Sequence, residues 1–344
     1  MHYHAYFYFV SQHANHNEIP DILKLSATLA SVNFHQVIIC TNLKWKSLPK
    51  NNISIIQPPN LTHLALHHLQ QYRLTLETAN CYSNHQASEE LCLLRWHAYY
   101  DYISSLDDSI LVAMIDWDTL VLQSPANILP AIQNKRNHVL IYPDVPKIDH
   151  LLYSVCPHYL IASPFVVKLY IDFYFKLLRK LRDLNKNSRC SDLATPFLLN
   201  DMRAWSSVIS YLNCMSFSDS IVGEWSDLID TKKYCYDHNI RVLREGSLSF
   251  LAKPHYIPSN KGINFTGSDE LSIKYFKLDA ITNKIYCYAK SDNFYRIGDE
   301  IGESSFEAKM PICLHFSGTE SKYILMRYYM NTFRYISESG NCEI

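Results

Sequence analysis

The sequence predicts an α/β protein: one domain with a mostly parallel central sheet flanked by helices. Three observations predict it. The chain of 344 residues is 48% apolar and 19% charged, enough apolar material for a large core and too little charge for disorder. Through the first half, apolar runs of strand length alternate with segments whose apolar residues recur at helical spacing, as in a sheet covered by helices on both faces. No internal repeat, low-complexity tract or Gly/Ser/Pro linker divides the chain.

In order, "AYFYFVS" (5–11) reads as the first strand and "EIPDILKLSATLASVN" (18–33) as the helix after it. "QVIICTN" (36–42) and "ISIIQP" (53–58) are buried strands. "ASEELCLLRWHAYYDYISSL" (87–106) starts a helix at Ser88 with acidic residues in its first turn. "ILVAMID" (110–116) and "HVLIYPD" (138–144) complete the first set of strands. In the second half, Ser163 and Pro164 cap and open a long helix over 163–184, and 191–212 carries another. Residues 270–290 alternate around "DAITNK" and predict a hairpin, and 311–336 predict a short strand, a turn and a helix. The expected division of labour gives residues 1–145 to nucleotide binding and residues 146–344 to an acceptor.

Several classes lose their signatures. Net charge is −1, so nothing global argues for a nucleic-acid partner. Glycine is scarce at 8 residues, and neither G-x-G-x-x-G nor G-x-x-x-x-G-K-[ST] occurs, which removes the dinucleotide and P-loop fingerprints. Phosphate binding, if present, then needs a metal. The N-terminus has no charged n-region, apolar h-region or small-residue cleavage site, and no window of about 18 uninterrupted apolar residues predicts a membrane span. Ten scattered cysteines without a C-x-x-C pair read as reduced, mostly buried thiols of a cytoplasmic protein.

The informative stretch is "DDSILVAMIDWDTLVLQSP" (107–125), where an apolar strand runs straight into Asp116-Trp117-Asp118. Residues two apart on a strand share a face, and ligands of α/β sheets sit beyond the carboxyl ends of the strands. Two adjacent carboxylates repel unless a cation joins them. A hard divalent ion, Mn²⁺ or Mg²⁺, takes such oxygens together with phosphate oxygens. Taken singly, the pair also fits an acidic turn capping the next helix. "CLHFSGTESK" (313–322) supplies a second feature: His315 after a short apolar strand, then Gly318 and Lys322. An imidazole suits Mn²⁺, a glycine lets backbone N–H groups approach a phosphate, and a lysine neutralises a leaving diphosphate.

The order of strands and helices, the D-x-D after a hydrophobic strand and the C-terminal H-x-x-G…K resemble the GT-A-fold glycosyltransferases. The likeness is strongest to glycosyltransferase family 8, which includes bacterial lipopolysaccharide galactosyltransferases and glycogenins. The resemblance implies a GT-A-type fold, a UDP-sugar donor, hexose transfer with retention, and Mn²⁺ held by Asp116, Asp118 and His315. Gly318 and Lys322 would bind the diphosphate. The chain departs from the family's H-x-x-G-x-x-K-P-W, because its lysine comes one residue late and no Pro-Trp follows. By the same likeness Phe9, Val10, Ser11 and Arg95 are candidates for the uracil and ribose, and Asp192 for the donor sugar or acceptor. Asp201, Glu224 and Asp227 are further carboxylates for the reacting centre. The implied acceptor is a glycan, a lipid-linked glycan or a protein, in bacterial surface glycan or glycoconjugate synthesis.

Each of these residues has a plainer reading. Arg95 fits a helix-pairing arginine, Asp192 an N-cap, and His63 and His67, one helical turn apart, a pair without a third ligand. "KLYIDFYFKLLRKLRD" fits a core-facing helix as well as a basic amphipathic helix at the inner face of a membrane. Two other functions stay open: metal-dependent nucleotidyl transfer or phosphohydrolysis, since paired aspartates suit two-metal chemistry, and nucleotide-sugar binding without catalysis.

Overall fold

A computed structural model of the chain describes residues 1–11, 17–46, 50–60, 62–78, 86–129, 138–143, 155, 157–187, 201–215, 221–235, 240–242, 264–269, 272–279, 284–289 and 308–318. The chain divides into two compact units. The first comprises residues 1–18, 35–116 and 131–225, and the second residues 19–34, 117–130 and 226–344.

In the first unit a seven-stranded sheet is built from β1 (His2–Tyr8), β2 (Gln36–Cys40), β3 (Ile53–Ile56), β4 (Ile110–Ile115), β6 (Val139–Tyr142), β7 (Tyr159–Ala162) and β8 (Ile221–Glu224). Their order is β3-β2-β1-β4-β7-β6-β8. All pairings are parallel except the two made by β7, which runs against β4 and β6. The sheet is thus the mostly parallel one that the apolar runs predict. β4, "ILVAMI", is central, and its last five residues are buried, as a strand covered on both faces must be. Phe7 of β1 stands opposite Ile115 of β4, so Phe9–Ser11 and Asp116 leave the sheet at the same edge. β6 and β8 run in the same direction as β4, which brings Glu224 to that edge as well.

Four helices of this unit carry the aromatic core: α2 (His63–Thr78), α3 (Gln86–Ser104), α5 (Pro164–Asn187) and α6 (Asp201–Cys214). Trp96, Tyr99 and Ile103 recur at i, i+3 and i+7 along α3 and are all buried. Trp205 of α6 meets Trp96 edge-on at 4.9 Å and stacks on Tyr170 of α5 at 4.4 Å, geometries in which ring quadrupoles attract. The Tyr99 hydroxyl donates to the Val112 carbonyl at 2.8 Å, tying α3 to β4. A buried pair of imidazoles joins α2 to α3, His68 Nδ1 lying 3.0 Å from His97 Nε2. α5 begins at Pro164, the position the sequence predicts for the first helical residue. Among the described residues no helix is long and apolar enough to cross a membrane.

The second unit contains α1 (Asp21–Asn33), β5 (Thr119–Val121), α4 (Pro125–Ile128), α7 (Trp225–Leu228), β9 (Tyr234–Cys235), β10 (Ile240–Val242), β11 (Asn264–Asp269), β12 (Ser272–Asp279), β13 (Lys284–Ala289), β14 (Ala308–Pro311) and β15 (Cys313–Gly318). β10, β15 and β5 form one small sheet, with His315 opposite Thr119. β12 and β13 are the antiparallel hairpin expected around "DAITNK". The helix expected at the C-terminus, Asp192, Lys322 and the first part of the 191–212 segment lie outside the described residues.

Candidate metal centre

Asp116 and Asp118 reach their places by a route the sequence does not predict. β4 stops at Ile115, and residues 117 and 118 form a turn into the short strand β5. The two carboxylates therefore converge through a turn and not through the alternation of one strand. The Asp116 N–H donates to the His158 carbonyl at 2.9 Å, which secures the chain where it leaves the sheet. β15 then pairs with β5 and carries His315, whose Nε2 lies 3.3 Å from Asp118 Oδ1. Asp118 and His315 are both buried, at 7% exposure each, and Asp116 is half-buried.

One ligand atom from each of Asp116, Asp118 and His315 lies within 4.8 Å of the other two. Two carboxylate oxygens and one imidazole nitrogen match the preference of a hard to borderline divalent ion. Ligands about 2.1 Å from such an ion stand up to about 4.2 Å apart, so small side-chain adjustments bring all three onto it. The donor set fits a divalent cation.

Arg95 of α3 extends the cluster. Its guanidinium donates to Asp116 Oδ1 at 2.7 Å and to Asp201 Oδ2 at 2.5 Å, and lies 5.0 Å from the centroid of the Trp96 ring. Trp96 Nε1 donates to the same Asp201 oxygen at 3.3 Å. Burial works against the charge on Arg95, but Asp116 and Asp201 outweigh it and hold the guanidinium protonated. Arg95 Nε is buried without a hydrogen-bond partner among the described residues. The link from Asp116 through Arg95 to Asp201 is the feature sequence reasoning missed, because α6 sits 106 positions from Arg95 in the chain.

The other predicted residues are distributed as follows. Phe9, Val10 and Ser11 follow β1; the Ser11 backbone is held on both sides by the Asn42 side chain, at 3.0 and 2.9 Å, and the Phe9 N–H donates to the Cys40 carbonyl. Gly318 ends β15, three residues beyond His315. Glu224 ends β8, and Asp227 lies in the first turn of α7. His63 and His67 lie on α2, where the His67 ring packs 5.2 Å from Phe175 and 6.4 Å from His68. Cys40 and Cys92 are thiols that burial pushes up to about 11 and about 12, so neither supplies a reactive thiolate at neutral pH.

No protein-family model and no curated protein matches the chain. Among solved structures it is similar to the galactosyltransferase LgtC in complex with donor and acceptor sugar analogs. That match has 13% identity and a TM-score of 0.31, covering 58% of this chain and 69% of that one. It is also similar to mouse xyloside xylosyltransferase 1 in its apo form, with 11% identity and a TM-score of 0.33, covering 70% of this chain and 88% of that one.

Proposed function

We propose that the protein is a metal-dependent glycosyltransferase that moves a hexose from a UDP-sugar to an acceptor hydroxyl. The observation that carries this reading is the convergence of Asp116, Asp118 and His315 within 4.8 Å, beside the carboxyl end of the central strand β4. Ligands of such sheets gather at that edge. A divalent ion held by these three residues supplies positive charge to the nucleoside diphosphate that leaves when the sugar bond breaks.

The chain's own residues take the remaining roles. We assign the uracil and ribose to Phe9, Val10 and Ser11, which leave the sheet at the same edge as Asp116. Arg95 holds Asp116 in place and adds a cation on the donor side. Gly318 allows close approach of backbone N–H groups to the diphosphate, and Lys322 neutralises the charge developing on it. Asp192 is assigned to the donor sugar or the acceptor hydroxyl. Residues 1–145 serve the donor and 146–344 the acceptor, which is a glycan, a lipid-linked glycan or a protein in bacterial surface glycan or glycoconjugate synthesis. Transfer with retention follows from the family 8 resemblance. The proposed setting is cytoplasmic, with peripheral contact at the inner membrane face; the exposed Lys176, Arg179 and Lys180 along α5 support that contact.

The test is UDP release from a panel of UDP-sugars in Mn²⁺, repeated with EDTA and with Asp118→Asn. Slow hydrolysis of a single donor, abolished by chelation and by the substitution, is the expected result and identifies the sugar. A folded, Mn²⁺-loaded protein that neither binds nor turns over any UDP-sugar would sink the reading.

A further inference from the structure

We propose that Ser26 is a positioning residue for the D-x-D turn and thereby for the metal ligands, an inference that rests on the metal-dependent reading above. Ser26 sits in the middle of α1 and is fully buried. Its hydroxyl donates to the Trp117 carbonyl at 2.9 Å, across 91 positions of sequence. That carbonyl belongs to the peptide joining Trp117 to Asp118. A peptide is planar, so fixing its oxygen fixes the direction in which the chain enters Asp118. Two helical turns further along α1, Asn33 Nδ2 donates to the Val121 carbonyl at 2.8 Å. Residues seven apart share a helix face, and this face of α1 grips the segment 117–121 at both ends.

On its other side the same segment pairs with β15, which sets His315 opposite Thr119. Asp118 thus has its backbone fixed from α1, while its carboxylate meets His315 at 3.3 Å. A serine inside a helix is a poorer helix former than alanine, and its hydroxyl commonly turns back onto its own helix. Ser31 does so, donating to the Thr28 carbonyl at 2.6 Å. Ser26 instead directs its hydroxyl to the peptide that leads from Trp117 into Asp118. Groups that orient metal ligands typically change metal affinity about 10–100-fold when removed.

The experiment is Mn²⁺ titration of the full chain, with free Mn²⁺ read by its EPR signal, for the wild type, Ser26→Ala, Ser31→Ala and Asp118→Asn. Thermal unfolding of each variant checks that it is folded. The expected result is one wild-type site that Asp118→Asn abolishes and Ser26→Ala weakens about 10-fold or more, with Ser31→Ala unchanged. Ser26→Cys keeps the shape and weakens the donor, and carries the same comparison if the alanine variant does not fold. Binding by Ser26→Ala within about twofold of wild type would overturn the positioning role while leaving the metal site standing. So would equal weakening by Ser31→Ala, because the effect would then belong to the helix as a whole. Wild-type protein with no Asp118-dependent Mn²⁺ site would remove the metal reading itself, and the role of Ser26 with it.

Discussion

Arg95 is a half-buried cation balanced by two carboxylates, 2.7 Å from Asp116 and 2.5 Å from Asp201. Breaking such a group leaves like charges facing each other out of water, at a typical cost of about 3–5 kcal/mol. Arg95→Met is therefore expected to lower unfolding free energy by about that amount in urea denaturation. The pair Arg73–Glu90 on α2 and α3 has good two-point geometry, but Arg73 itself stands half in solvent. Arg73→Ala should change stability by less than about 1 kcal/mol. The imidazoles of His68 and His97 are held well below the usual range, to about 4, first by burial and then by a neighbouring histidine, His67 for the one and His68 for the other. Asp172 works weakly the other way on His68. Their folded values lie below the unfolded value of about 6.5, so the unfolded chain takes up protons first as pH falls. Stability from this pair is complete above about pH 6.5 and is lost progressively toward pH 4. His97→Gln should flatten part of that decline in thermal unfolding followed from pH 7 to 4.

Among the elements, the strands at the start of the chain were readable because burial on both faces demands unbroken apolar runs. β2, β3, β4 and β6 fall within the runs that predict them, and β1 overlaps its run. Ends were less readable: β1 spans His2–Tyr8 and not 5–11, since the apolar run outlasts the pairing. β7, "YLIA", was not legible as a separate element, nor was its reversed direction, which depends on which neighbours it meets and not on its composition. β5 was hidden for a similar reason, being three residues long and dependent on β15 for its pairing. The helices show where packing outweighs pattern. α6 contributes Trp205, fully buried between Trp96 and Tyr170. Trp205→Ala is expected to cost about 3–5 kcal/mol, read as a lower denaturant midpoint, because neighbouring rings cannot close the cavity left behind.

For the molecule as a whole, the three residues that converge were legible in the sequence and the contacts that hold them were not. Asp116, Asp118 and His315 announce themselves by type and by the apolar strands before them. Ser26 and Asn33 do not, and Arg95 and Asp201 stand out only as separate candidates, because the contacts that join them exist only once distant segments meet. If the three ligands bind Mn²⁺ in the folded chain alone, the ion must stabilise that chain by mass action, by about 2.7 kcal/mol at 100 times its dissociation constant. A Mn²⁺-dependent rise in melting temperature, absent in Asp118→Asn, is the expected outcome; equal rises in both proteins would refute it.

The pairing of β15 with β5 carries one more consequence, for the history of the chain during synthesis. Two residues of the candidate metal triad lie at 116 and 118 and the third at 315, so nearly two hundred residues are made between them. A nascent chain that has already formed β4 and the D-x-D turn holds paired carboxylates without their imidazole. Only when the strand bearing His315 emerges and docks beside Thr119 does the third residue of the triad arrive. If the triad holds a divalent ion as proposed, full metal affinity is a late event in biogenesis, and a ribosome-stalled chain ending before residue 313 should lack it.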